Sequence, residues 1–186
     1  MSMRSALLLL HVAAIALAAH AEAAVEDIVN FRAYSPGFAS AGQPTAEQLG
    51  ELADAGFERI VYIAYSDQRS ALEHEDRRVK ELGMEYVHIP VDWEAPTAAD
   101  FSLIAAAIEQ APARKTLLHC QVNYRASAFA FLYRVLYEGV PIAAAKADMN
   151  GVWAPNETWR SLIFDVLEAN GVPPDCEGCD WSDEDE

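Results

Sequence analysis

Apolar and polar positions along the chain change period several times. An apolar run interrupted only by His11, ALLLLHVAAIALAA, fills residues 6–19. Beyond it, short apolar runs alternate with longer stretches of helical spacing. Phe31 to Gln43 begins extended and turns at Ser35-Pro36-Gly37. Thr45-Ala46-Glu47-Gln48 has the form of a capping box, and Leu49, Leu52 and Ala53 share the helical face behind it, which Gly56 closes. RIVYIA (59–64) predicts a short buried strand. A polar helix is expected over about 71–82, with Gly83 as its stop. EYVHIPV (85–91) alternates as a strand does. Thr97 caps a helix whose Phe101, Ile104 and Ile108 share a face. KTLLH (115–119) is the next strand. Helical spacing returns over about 125–138, with Phe129, Leu132, Val135 and Leu136 inward, then over about 141–148. Asn156 caps a last helix with the stripe Trp159, Leu162, Ile163, Val166 and Leu167.

Strands alternating with helices imply an α/β fold: one domain with a mainly parallel central sheet of four to five strands, flanked by helices. The 186 residues suit a single domain of ordinary core size. No repeat, internal linker or second domain is visible, so residues 24–172 are the expected domain. In parallel sheets the binding crevice lies beyond the carboxyl ends of the strands. Cys120 stands at such an end, where KTLLH gives way to helix.

Charge narrows the range of partners. The formal net charge is −16. Residues 175–186 hold seven acids and no base, so 22 acids and 13 bases remain and the body is still at −9. That balance excludes nucleic acid and anionic membrane surfaces as natural partners. Residues 173–186 read as an acidic, disordered tail. At the other end, Arg4, the apolar run and the small-residue sites Ala19-His20-Ala21 and Ala21-Glu22-Ala23 read as a signal peptide over residues 1–23, with cleavage near Ala21–Ala23. The run is short for a membrane span, which needs about 20 apolar residues. A periplasmic or secreted protein without stable membrane insertion after cleavage is therefore expected. In an oxidising compartment Cys176 and Cys179, in Cys-Glu-Gly-Cys, are expected to pair locally. Cys120 is left without a partner.

The segment HCQVNYRAS (119–127) gives that cysteine a chemistry. Backbone N–H groups of a loop entering a helix converge into an anion nest. Helix N-termini also favour the thiolate, the attacking form of cysteine. Arg125 brings a planar fork suited to two oxygens of a phosphoryl group. The plain alternative is a small buried cysteine beside an ordinary helix-start charge. Glu73, His74 and Glu75 lie around a helix rather than on one face, so they read as a solvated surface and not a metal site. VWAPNETW could wall a pocket, but Trp153 and Trp159 are expected in the core, and Tyr62, Tyr65 and Tyr86 are read as strand residues.

Three stretches, SAGQPTAEQLGELADAGFERIVYI (40–63), GMEYVHIPVDWEAPT (83–97) and TLLHCQVNYRASAFAFLYRV (116–135), resemble the cysteine-based protein tyrosine and dual-specificity phosphatases, particularly small bacterial members. The family loop runs Cys, five residues, Arg, then Ser or Thr, usually with Gly three residues after Cys. Here Arg125 comes after four residues. Ser127 nevertheless holds the family's Ser/Thr place, and Asn123 stands where Gly would, as the residue most willing to adopt positive φ. The frame thus reads as intact, with Arg125 advanced one step and Ala126 in its usual seat. One step along a helix turns a side chain by about 100° and moves it about 1.5 Å.

The resemblance implies Cys120 as nucleophile and Gln121, Val122, Asn123, Tyr124, Arg125 and Ala126 as the phosphate-binding loop. His119 would orient the loop, or simply be a satisfied buried histidine. Ser127 would assist the leaving thiolate, or bond to its own helix backbone. The acid that protonates the leaving oxygen is Asp92, 28 residues before Cys120, or its rival Glu94, longer and next to the shielding ring of Trp93 in VDWEAPT. The implied activity is hydrolysis of phosphomonoesters through a phosphocysteine, with no metal or other cofactor. The partner would be a phosphorylated small molecule or a phosphoprotein. Two alternatives stay open: a rhodanese-type sulfurtransferase, whose loop is one residue shorter, and a weak pseudophosphatase that binds phosphorylated ligands.

Overall fold

The computed structural model describes residues 25–177 and 179–181. The signal segment and the last five residues fall outside them. Its elements in chain order are β1 (Arg32–Ser35), β2 (Phe38–Ala41), α1 (Ala46–Asp54), β3 (Arg59–Tyr62), α2 (Glu75–Glu81), β4 (Glu85–His88), α3 (Ala98–Glu109), β5 (Thr116–His119), α4 (Tyr124–Leu136), α5 (Ile142–Asn150) and α6 (Glu157–Ala169). The sheet order is β1-β2-β5-β3-β4. β2, β5, β3 and β4 are parallel, and β1 is an antiparallel edge joined to β2 through the turn at Pro36-Gly37. The expected α/β domain with a mainly parallel sheet is the observed one.

Two apolar layers cover the sheet. Ile60 and Leu117 face Leu49 and Leu52 of α1 and Val79 of α2. Val61 and Leu118, one residue on, face α3, α4 and α6 through Phe101, Phe129 and Trp159. This is the period-two alternation of strands buried on both sides. Helix α4 is buried at every residue from Arg125 to Val135. It is the central helix, and it begins directly below the carboxyl end of β5. The caps form as their sequences require. Thr45 with Gln48, and Thr97 with Asp100, make reciprocal capping boxes, and Asn156 accepts from Trp159 N.

Two expectations are corrected. The polar helix is shorter than about 71–82. The chain turns over residues 66–74, with His74 left-handed at φ 56°, and helix begins only at Glu75. Glu75 is also not on a solvated surface: it is 4% exposed, while Glu73 and His74 stay in solvent. The second correction concerns the tail, which is docked as far as Trp181. Cys176 and Cys179 are disulfide-bonded. The Trp181 ring packs edge-on against Phe131 and Phe164, and its Nε1–H donates to Pro174 O. A large aromatic ring gains substantially from burial in such an apolar site.

Candidate active site

The segment after β5 is built by its neighbours. Cys120 ends the strand, its N–H donating to Ala41 O of β2. Two residues on, Val122 bridges to Gly42, and Gln121 O accepts from Gln43 N at 3.0 Å. Gly42 is required by this approach, because a Cβ there would stand 2.8 Å from Gln121 O. Asn123 takes φ 71°, the left-handed conformation anticipated from its place in the loop. Its Nδ2 donates to Asn30 O at 2.6 Å, and Asn30 Nδ2 donates back to Val122 O at 2.9 Å. Helix α4 then starts at Tyr124. The first N–H groups of a helix have no partner within it, so those of Tyr124, Arg125 and Ala126 are left unused by α4.

A cavity of about 200 Å³ opens on this loop, lined by Trp93, Cys120, Gln121, Val122, Tyr124 and Arg125. Cys120 is a free thiol, 1% exposed. Arg125 is buried from the first turn of α4. Its Nη1 donates to Val91 O at 2.9 Å and its Nη2 to Gln121 Oε1 at 3.1 Å. The guanidinium therefore ties the loop after β4 to the loop after β5. Asp92 and Glu94 are exposed on either side of Trp93, and Asp92 Oδ1 accepts from Glu94 N at 2.9 Å. Trp93, not either acid, reaches the lining.

The model of the family described as DSP-PTPase phosphatase fused to NAD+ kinase matches residues 16–155. The chain belongs to the DSP-PTPase family. Among solved structures, a DUF442 protein of Shewanella putrefaciens CN-32, classed with the phosphatases, is 31% identical. It superposes with a TM-score of 0.72, covering 79% of this chain and 97% of its own. Tk-PTP in its active form shares 18% identity and a TM-score of 0.64 over 75% of this chain and 97% of its own. A cysteine-to-serine variant of P. aeruginosa TpbA, in complex with pTyr, shares 16% identity and a TM-score of 0.60, covering 77% and 91%. The last two share the fold. No curated protein matches significantly.

The remaining loop-associated residues of this DSP-PTPase lie behind the cavity. Ser127 is buried, its hydroxyl donating to Tyr124 O at 3.1 Å and accepting from Trp153 Nε1 at 3.1 Å. That is the backbone-bonding arrangement for Ser127, with an added task of holding Trp153. The latter stacks on Tyr124 at 4.9 Å between ring centres, 9° from parallel, and Trp93 lies 5.2 Å from it. Trp159 is fully buried as expected, and its Nε1 donates to Trp93 O. Thus VWAPNETW supplies the ring that backs Tyr124 and the clamp that holds the Trp93 loop.

His119 is fully buried, and burial pushes its imidazole down to about 3. It stacks on Tyr62, which stacks in turn on His88, and the three are register neighbours across β5, β3 and β4. The DSP-PTPase resemblance pointed to His119, Asn123 and the GQPT segment. It did not point to Asn30, Glu75 or Trp153 as neighbours of the site. Asn30 has a faint signal in its own left-handed φ of 51°, which asparagine tolerates.

Proposed function

We propose that the chain is a phosphomonoesterase that works through Cys120. The observation that carries this reading is Cys120 lining its own cavity at the carboxyl end of β5, below the N-terminus of α4 and beside Arg125. The Cys120 Sγ attacks phosphorus and the bond to the leaving oxygen breaks. Amide N–H groups of the loop and Arg125 balance the charge on the phosphoryl oxygens. Asp92 or Glu94 gives its proton to the leaving oxygen. Water then attacks the phosphocysteine, the P–S bond breaks, and the same carboxylate takes the proton from water. Inorganic phosphate and an alcohol are the products.

The wall of Trp93 and Tyr124, the latter stacked on Trp153, supports an aromatic leaving group, because a flat ring at the cavity mouth gains stacking as well as apolar burial. The pTyr complex of the TpbA variant supports the same chemistry. Export belongs to this reading too. Cleavage after Ala21 or Ala23 would leave intact the buried Val25 and Ile28, which pack under β2 and β5. N-terminal sequencing of the chain recovered from a periplasmic fraction tests that part.

Hydrolysis of p-nitrophenyl phosphate by the reduced mature chain, beside Cys120→Ser and Arg125→Ala, tests the reaction. Turnover is expected in the parent, none above background in Cys120→Ser, and a loss of about a hundredfold or more in Arg125→Ala. Equal rates in the parent and Cys120→Ser would remove the reading. Binding of phosphate without turnover would make the protein a phosphate-binding module, and thiosulfate turnover a sulfurtransferase.

A further inference from the structure

Behind the loop from Cys120 to Arg125 lies a buried acid that the reaction above does not use. Glu75 opens α2 and is 4% exposed. Its Oε1 accepts from Gln43 Nε2 at 2.9 Å and stands 3.3 Å from His119 Nε2. The Tyr86 hydroxyl approaches Oε2 at 3.5 Å. The backbone of Cys120 interacts with the His119 ring, and among the described residues the Glu75 carboxyl is the side-chain group placed to serve Nε2, at 3.3 Å. Gln43 and His119 are the two supports of the loop. Gln43 N holds Gln121 O, and His119 directly precedes Cys120. One carboxyl therefore joins both supports.

We propose that Glu75 is a positioning residue for the phosphate loop: protonated, it bridges Gln43 to His119 and keeps the ground behind the cradle neutral; ionised, it sets a negative charge there and weakens anion binding. This rests on the reading of Cys120 to Arg125 as a phosphate cradle. Burial moves both members of the pair toward their neutral forms, Glu75 up to about 7 and His119 down to about 3. The other groups facing the carboxyl leave that direction in place. Asp76, on its own helix, raises it further, while Tyr86 on β4 and the Gln43 amide hold the ionised form by hydrogen bonds. Tyr62 on β3 is neutral at these pH values, pushed up to about 12 by burial. His88 on β4 is engaged with Ala64 O.

The test measures tungstate binding to the full mature chain by tryptophan fluorescence. Tungstate remains a dianion across the range used, and a Cys120→Ser background removes the thiol from the titration. Between about pH 6 and about pH 8.5 the dissociation constant should rise about fivefold. In the Glu75→Gln, Cys120→Ser double variant it should stay flat at its acidic value. The same rise in both proteins would overturn the proposal. Should the double variant not fold, the side-chain carboxyl of Glu75 can be followed by carbon-13 NMR in the Cys120→Ser protein. A midpoint in the ordinary glutamate range would overturn the proposal, and one near neutral pH would sustain it. Tungstate binding with this pH dependence, but no p-nitrophenyl phosphate hydrolysis by the parent, would remove the enzyme reading and leave the role of Glu75 standing. No tungstate binding to either protein would remove the cradle, and the proposal with it.

Discussion

Asn123 shows how much one residue of the loop has to do. It must accept φ 71°, and it must reach Asn30 O. Alanine fails at both, since a non-glycine residue without a short polar side chain meets a penalty of about 1–2 kcal/mol in the left-handed region. Glycine meets only the first need. Asn123→Ala is therefore expected to lower stability by about 2 kcal/mol, and Asn123→Gly by about half as much, read from urea unfolding midpoints. Gly42→Ala should be worse for activity than for stability. Its new methyl would lie 2.8 Å from Gln121 O and 2.9 Å from Val29 Cβ, so it would be wedged between the loop after β5 and the segment before β1, and one of them must shift. A fall in p-nitrophenyl phosphate turnover larger than that in Asn123→Gly is the expected outcome. The need for a special residue at position 123 was legible in the sequence, because positive φ is a local property with a short menu of residues. Asn30 was not, because its partners lie 92 and 93 residues away.

Among the elements, the contact of α2 with β5 governs the response to pH. Unfolded, Glu75 titrates near 4.5 and His119 near 6.5; folded, they move to about 7 and about 3. Between pH 4.5 and pH 6.5 each state of the chain holds one proton on this pair, on His119 when unfolded and on Glu75 when native. The pair then contributes no slope. Below pH 4.5 the unfolded chain takes a second proton that the native chain refuses until about pH 3, so native stability falls with acid. Above pH 6.5 only the native chain still holds a proton, so stability falls again as Glu75 ionises near pH 7. In Glu75→Gln the urea midpoints are expected to lose the alkaline limb, while the acid limb, now set by His119 alone, begins below about pH 6.5 instead of 4.5. The sequence announced the strands and most helices through local periods and caps, and those forecasts hold in place, while β3 and β4 end at Tyr62 and His88, so Tyr65 lies outside the strand expected to carry it. It misplaced the start of α2 and read Glu75 as solvated. Whether an acid at a helix start is buried depends on what lies across from it, here Gln43 and His119, and no local pattern carries that. The same limit left Asp92 and Glu94 as the visible features of their loop, while Trp93 between them took the place facing the cavity.

For the molecule as a whole, the acidic tail is the largest departure from expectation, and it makes a prediction. Trp181 lies against Phe131 and Phe164, with the Lys146 ammonium 4.9 Å from its ring centre. Its half-buried ring should contribute about 1–2 kcal/mol, so Trp181→Ala is expected to lower the melting temperature by about 3–6 °C. Charge composition alone suggested a free end, yet one ring with a fitting apolar site suffices to dock a short segment. The bonds from Asn30 to the loop after β5 reach still further across the molecule. A chain made from its N-terminus has Asn30 in hand long before the residues that it holds. Helices such as α4 and α6 close over neighbours in sequence, whereas this bond must wait for an end-to-end search through most of the sheet. On dilution from urea, the far-ultraviolet signal should accordingly return before catalysis does, and the interval between them times the homecoming of the first strands.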